Sequence, residues 1–459
     1  VIASPERVAI EVQCPYGCAN RKVFDPERRF CNLCGGWLNF CPSLACRVPN
    51  RIFARFCRHC RTRLDAWESW SCFSGDPTSS GRIRKSAPWK NLPSIRLTSP
   101  WAKNSVCVGA EAPPSAIVAS FGTVHVFTVE GNLVMIDMRD GSEIDRVAFG
   151  EDPVALFGLG ERLVAVSQEK LRLFSILGRA SANYSAPVPS GYRRLWERQV
   201  PGGFPRYVGH PIPYGSHLVQ ATAGRDAFGL CCLKLKTHED LWENDPRTFP
   251  GEFAFVLPWA EASLIVGNKD GLVVGLTGVR GTETFRFTVP GGLCETFPRA
   301  CVDEGRMYWF NAVGELWQIE LTGRRTPRPV GGIQTARPSI LGVCPNQIVV
   351  GDRQGTISRY NPFGLDPQHH TIVPAEGESQ TGFTLPPILT EDGCLLAASD
   401  SGSLLFFGPR SSAAPIERMF SFPSGSHLRS LALVGSILTG INSVGEVQAL
   451  KIRLDEEAT

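Results

Sequence analysis

Eight strand–turn–strand units recur between residues 124 and 450, and eight cysteines fall in four close pairs between positions 14 and 60. Together they predict an all-β chain in which two small tandem metal ribbons precede a β-propeller, with eight blades favoured and seven as the alternative. A third observation sets the boundary. Residues 67–100 are rich in Ser, Gly, Pro and Lys/Arg and separate the cysteine-rich end from the repeats. The expected organisation is a double ribbon over 1–66, a linker over 67–100 and a propeller over 101–459.

Length and composition agree with this division. A chain of 459 residues, 43% hydrophobic and 20% charged, has room for two or three domains and a large core. Its 46 glycines and 35 prolines are dispersed, as many turns require. No apolar run approaches the length of a membrane-spanning helix. The opening stretch VIASPERVAIEVQC lacks a basic segment followed by an apolar one, so no secretory signal is read. The expected location is the cytoplasm, with no membrane partner. Residues 1–90 carry 15 Lys+Arg against 7 Asp+Glu, a balance of +8 within a net charge of +3. Eight thiolates and two divalent ions would reduce that excess to about +4, so charge alone does not identify a nucleic-acid handle.

The cysteine pairs are Cys14/Cys18, Cys31/Cys34, Cys41/Cys46 and Cys57/Cys60. A short loop between two cysteines turns both sulfurs toward one point, and two such knuckles complete a tetrahedral zinc site with Zn–S bonds of about 2.3 Å. The expectation is two Zn²⁺, each with four cysteine ligands. A sequential pairing joins the first pair to the second and the third to the fourth; a cross-brace is the alternative. The intervals RKVFDPERRF and RVPNRIFARF can each hold a short hairpin. Disulfides or an iron–sulfur cluster are competing uses of these thiols. His59, inside the last knuckle, is read as an exposed side chain beside a complete cysteine set.

RFCNLCGGWL and RFCRHCRTRL resemble the second knuckles of the double zinc ribbon family, in which an aromatic residue precedes Cys-x-x-Cys and glycine follows. Gly35 matches that glycine, whereas Arg61 replaces it in the second copy. The first knuckles, CPYGC and CPSLAC, carry the family's Cys-Pro with one and two extra residues. The resemblance spans about residues 12–66 and implies metal binding without fixing a task. Arg47, Arg51, Arg55 and Arg58 decorate the second ribbon and are candidate nucleic-acid contacts, with solvation of a small surface as the alternative. In the linker region, Trp67, Trp70, Trp89 and Trp101 are costly to leave wet, so parts of it are expected to pack on a neighbour.

Each repeat reads as an apolar strand, a polar turn and a second strand. The units begin at residues 124, 163, 218, 264, 307, 348, 395 and 437, spaced 39 to 55 apart. Such a period holds four strands of about five residues with turns, which is one blade. Glu130-Gly131, Asp270-Gly271, Gln354-Gly355 and Ser401-Gly402 place glycine where a hairpin reverses at positive φ. The second unit lacks the glycine, which keeps seven blades open. The last unit ends soon after KIRL, and SIRLTS at 94–99 could complete its sheet as an added strand.

VHVFTVEGNLVMIDMRDGSEIDRVAF (124–149) resembles the repeat of PQQ-like quinoprotein propellers, with Glu130-Gly131, Asp137 and Asp140-Gly141 matching. The other units match only in the central hairpin, and none keeps the family's blade-locking tryptophan, so the resemblance implies a fold and no quinone cofactor. Quinone-dependent members use adjacent cysteines, and Cys231-Cys232 are adjacent; they are read here as buried thiols. His369-His370 is read as part of a solvated loop. No phosphate-binding loop, HExxH or GxSxG motif is found. The expected function is a non-enzymatic scaffold with protein partners. The alternatives are a nucleic-acid module acting through the second ribbon, and a propeller enzyme or small-ligand sensor with polar side chains converging on the central channel.

Overall fold

A computed structural model of the chain describes residues 11–12, 15, 22–23, 38–41, 43, 46–51, 57–62 and 82–83. It also describes most of 95–454, leaving aside 109–116, 178–190, 235–246, 372–381, 410–416, 422–426 and shorter stretches. The first site's cysteines (Cys14, Cys18, Cys31 and Cys34) lie outside the described residues, as do Arg55, Trp67, Trp70 and Trp89.

Eight antiparallel sheets follow one another in chain order. Blades 1 to 6 begin with the inner strands Ile117–Ser120, Pro153–Leu159, Arg206–Tyr214, Phe253–Ala260, Ala300–Asp303 and Pro338–Cys344. Blades 7 and 8 begin with Ile388–Thr390 and Leu428–Val434. These first strands lie against one another from blade 8 through blade 1 to blade 7. Blade 7 packs on blade 8 in a shared core cluster, so the ring is closed and has eight blades. The eight repeats read from the sequence are the second and third strands of these blades, for example Thr123–Phe127 with Asn132–Asp137. The unit without glycine forms a full blade as well, because Ser167 Oγ accepts the Lys170 N–H at 3.1 Å and holds the reversal.

The strands are buried on both faces because the core lies between blades. Val349 and Ile357 of blade 6 pack on Leu395, Leu405 and Phe407 of blade 7. Val302, Met307 and Trp309 of blade 5 pack on Phe255, Ile265 and Val273 of blade 4. The largest cluster joins blades 7, 8, 1 and 2.

The second-to-third strand turns all lie on one face of the ring, here the turn face. The expected glycines have positive φ there: 75° at Gly131, 86° at Gly271, 87° at Gly355 and 90° at Gly402. A side chain ahead of each glycine completes the turn. Thr128, Asn268, Asn311, Asp352, Ser399 and Asn442 each accept the N–H four residues on, at 2.7–3.1 Å. This cap explains why polar residues recur at the end of the second strand.

Blade 8 takes its outer strand from the other end of the chain. Ile95–Thr98 pairs antiparallel with Lys451–Leu454, and Val106–Cys107 pairs with Glu446 and Val447. Between these segments Trp101 is buried and donates Nε1–H to Met138 O at 3.0 Å, on the far side of the seam. A Cβ at Gly141 (φ +74°) would meet the Trp101 ring at 2.6 Å, so Trp101 and Gly141 fit only as a pair. Trp101→Ala is expected to cost about 3–5 kcal/mol, the usual loss for truncating a buried tryptophan. Thermal melting will show it as a lower transition, with backbone exchange rising first at 446–454.

Blades 1 and 2 share a buried polar chain. Thr123 Oγ1 meets His125 Nε2 at 3.0 Å, and His125 Nδ1 meets the Tyr192 hydroxyl at 2.9 Å. Burial pushes His125 down to about 3 from its ordinary 6.5. The unfolded chain therefore takes up a proton below pH 6.5 that the folded chain refuses until about pH 3. Stability from this group is complete above pH 6.5 and falls with acid across that window, by ~1.4 kcal/mol per unit at most. Urea midpoints against pH will show a slope one proton shallower in His125→Gln than in the wild type.

Candidate metal centre

The second ribbon starts from a strand pair. Leu38–Phe40 pairs antiparallel with Pro49–Arg51, and the pair brackets the first knuckle of this site, Cys41 and Cys46. Glu11–Val12 pairs with Lys22–Val23 in the same manner around Cys14 and Cys18. Among the described residues, each interval supplies one strand, whose partner precedes the first knuckle. The remainder of each interval, where the expected hairpin would continue, lies outside the described residues. Pairing across the knuckle brings its two ends together.

Cys41, Cys46, Cys57 and Cys60 converge so that all four sulfurs lie within 4.8 Å of one another. Cys41 Sγ and Cys60 Sγ are 3.4 Å apart, and Cys46 Sγ and Cys57 Sγ 3.6 Å. A tetrahedron of 2.3 Å Zn–S bonds has edges of about 3.8 Å, whereas a disulfide needs about 2.05 Å. The four thiols are thus spaced for a shared ion and not bonded to each other. The third and fourth cysteine pairs meet, as sequential pairing requires. His59 is exposed and stands outside the cluster.

Local hydrogen bonds shape both knuckles. Cys46 N and Arg47 N both donate to Ser43 O at 3.0 Å, and Arg61 N donates to Cys57 O at 3.1 Å. The chain turns back after each second cysteine through a left-handed residue, Arg47 at φ 42° and Arg61 at φ 61°. Asn50 is buried and ties the halves together. Its Nδ2 donates to Val48 O at 2.7 Å, and its Oδ1 accepts the Arg58 N–H at 2.8 Å. Sequence reading missed Asn50; a lone asparagine in a tiny hairpin gave no signal.

The thiols are electrostatically unequal. Burial pushes Cys41 up to about 12 and raises Cys46. At Cys57 burial also acts upward, but the N–H groups of Cys60 and His59 outweigh it and the group is lowered. Cys60 is drawn down to about 6 by the Thr62 hydroxyl and backbone. A divalent ion held by these four residues would favour all of them as thiolates. The donor set fits Zn²⁺ and could hold it here; the second expected ion falls on residues outside the described set.

Of the candidate nucleic-acid contacts, Arg47 and Arg58 are exposed beside the cluster, and Arg51 is paired with Leu38 in the strand ladder. Cys231 and Cys232 lie on the third strand of blade 3 and are buried away from the central opening. His369 and His370 are not in a loop: they belong to Gly364–Thr371, the outer strand of blade 6, paired with Ser358 and Ile357. Near the axis, His210 sits in a bulge of the blade 3 inner strand, where Gly209 has φ +66°. His210 Nδ1 is buried without a hydrogen-bond partner. Burial and then the Arg299 charge push it down to about 4, against a backbone hydrogen bond at Leu156.

No family model matches the chain, and no curated protein matches it. Solved propellers do. BamB from Moraxella catarrhalis aligns with a TM-score of 0.52 at 13% identity over 79% of this chain and 99% of its own. Quinohemoprotein alcohol dehydrogenase from Comamonas testosteroni aligns at 0.55 and 10% identity over 85% and 82%. Sqt1 of Saccharomyces cerevisiae aligns at 0.55 and 10% identity over 78% and 100%. At such identities the likeness is one of fold. The chain is an eight-bladed β-propeller resembling the BamB and quinoprotein rings, with a four-cysteine cluster ahead of it.

Proposed function

We propose that the protein is a non-enzymatic, zinc-binding scaffold that holds protein partners on its propeller and its ribbons. The observation that carries this reading is the continuity of the two modules: the segment following the cysteine cluster becomes a strand of the ring itself at Ile95–Thr98. A ribbon and a ring on one chain offer two surfaces to partners. Val313 and Val444 add to the case. They top the matched turns NAVGE and NSVGE, are 62% and 53% exposed, and stand on turns braced by Asn311–Glu315 and Asn442–Glu446 hydrogen bonds of 2.8 and 2.9 Å. Rigid apolar tips on one face suit a protein contact. Thiolate-only zinc ligation suits a reducing compartment, so we place the protein in the cytoplasm. Affinity capture from native lysate tests the reading. The full chain should recover a stoichiometric protein, and Val313→Asp with Val444→Asp should release it; recovery of none removes the proposal.

A second reading is favoured by one observation. Arginine occupies both left-handed knuckle positions, where glycine is less strained, and Arg47, Arg58 and Arg61 are all exposed. These cations would engage nucleic-acid phosphates. Arg61→Gly relieves the backbone, so zinc retention should hold or improve. On this reading, single-stranded oligonucleotide binding should weaken and its salt dependence fall by about one charge. Unchanged binding in Arg61→Gly, or none at low salt in the wild type, removes it.

A further inference from the structure

Each inner strand gives one edge to its blade and turns the other toward the axis. Among the described residues, seven of the eight inner edges take no further strand. The exception is blade 7. Arg82–Ile83 runs parallel to Ile388–Thr390, with Arg82 opposite Leu389 and Ile83 opposite Thr390. It also lies against Pro338–Cys344, the inner strand of blade 6. Arg82–Ile83, in the N-terminal arm of the chain, therefore lies on the axial side of blades 6 and 7.

The two attachments of this arm differ in kind. Ile95–Thr98 pairs over four residues, and Leu97 packs on the largest core cluster. Among the described residues, Arg82–Ile83 pairs over two, in the less stable parallel mode. A ladder bond contributes only about 1 kcal/mol net. Two residues on so short an edge are held by tethering more than by contact.

We propose that the inner edge of blade 7 is a strand-acceptor site for an extended segment of a protein partner, and that Arg82–Ile83 is its resident stand-in. Recognition is through the backbone of Ile388–Thr390. The partner segment shares the chemistry of Gly81-Arg82-Ile83-Arg84-Lys85, an aliphatic residue between cations. The proposal rests on the scaffold reading and gives it a docking point.

The test uses the full chain, a variant carrying Arg82→Pro and Ile83→Pro, and a fluorescent peptide copying residues 79–87. A second variant replaces residues 81–85 by a Gly/Ser stretch of equal length, in case the prolines disturb folding. Tethering gives the resident segment an effective concentration of about 1 mM. Removing it should tighten peptide binding about tenfold or more, and N-methylation of the peptide at the Arg82 and Ile83 positions should abolish that binding. Equal affinity for wild type and variants, or no binding to variants that melt like the wild type, overturns the site. Lysate capture by the full chain is read separately, so loss of the acceptor site and loss of the scaffold reading are distinguishable.

Discussion

Cys57→Ser will lower bound zinc by one equivalent and unfold the second ribbon, while the propeller keeps its melting transition. Cys57 is fully buried at the centre of the cluster. Its sulfur lies 3.6 Å from Cys46, and its backbone closes the second knuckle by accepting from Arg61 and donating to Thr62. Among the described residues, the buried cluster around it holds three cysteines and Val48. A structural zinc contributes roughly 10–16 kcal/mol of apparent binding free energy, more than so small a unit can draw from burial. Serine would offer a harder, protonated oxygen in place of a thiolate and so remove one of the four ligands that could hold the ion. Elemental analysis will count the ion, and exchange at Asn50 and Arg58 will report the unfolding. If zinc content stays unchanged, or Cys57 is recovered in a disulfide, the metal centre is wrong. The propeller should not respond, because its core lies between blades and includes none of these residues.

Much of this fold was legible because its repeats are local. Glycine at Gly271 or Gly355 marks a reversal by its backbone alone, and the apolar runs beside it mark strands buried on both sides, so eight hairpins could be counted. The cysteine cluster was legible for a similar reason: each knuckle is a few residues long, and chemistry forces its sulfurs together. What could not be read depends on contacts between distant parts of the chain. Trp101 meets Met138 and Gly141 only once the ring has closed. His125 reaches Tyr192 across a blade boundary, and Arg82–Ile83 finds an edge about three hundred residues away. His369 and His370 looked like loop residues because Asp, Pro and Gln surround them. They became a strand because blade 6 has an edge to fill, and sheet pairing overrides that local composition.

Arg359→Met is expected to destabilise the propeller by about 3–5 kcal/mol, although methionine fills much of the same space. Arg359 is fully buried on the third strand of blade 6. Its Nε and one Nη donate to Gln347 Oε1 at 3.1 and 2.9 Å. The same Nη reaches Gly393 O at 2.9 Å and Gly408 O at 3.2 Å, both in blade 7. The guanidinium also sits 5.6 Å from the centre of the Phe407 ring. One side chain thus satisfies carbonyls on two loops of the neighbouring blade. Methionine removes the donors and leaves those oxygens dry; each orphaned acceptor costs about 1–3 kcal/mol. Gln347 Nε2 retains its 3.2 Å bond to Gly393 O, so Gly408 O and Gln347 Oε1 carry most of the loss. Arg359→Lys separates charge from geometry. A single ammonium cannot span the three acceptors, so lysine should recover less than half of the stability. Denaturant midpoints for the two variants decide the matter: if methionine is neutral, the buried arginine is filling space, and the apolar cluster that includes Val349, Leu395, Leu405 and Phe407 holds blades 6 and 7 without its donors.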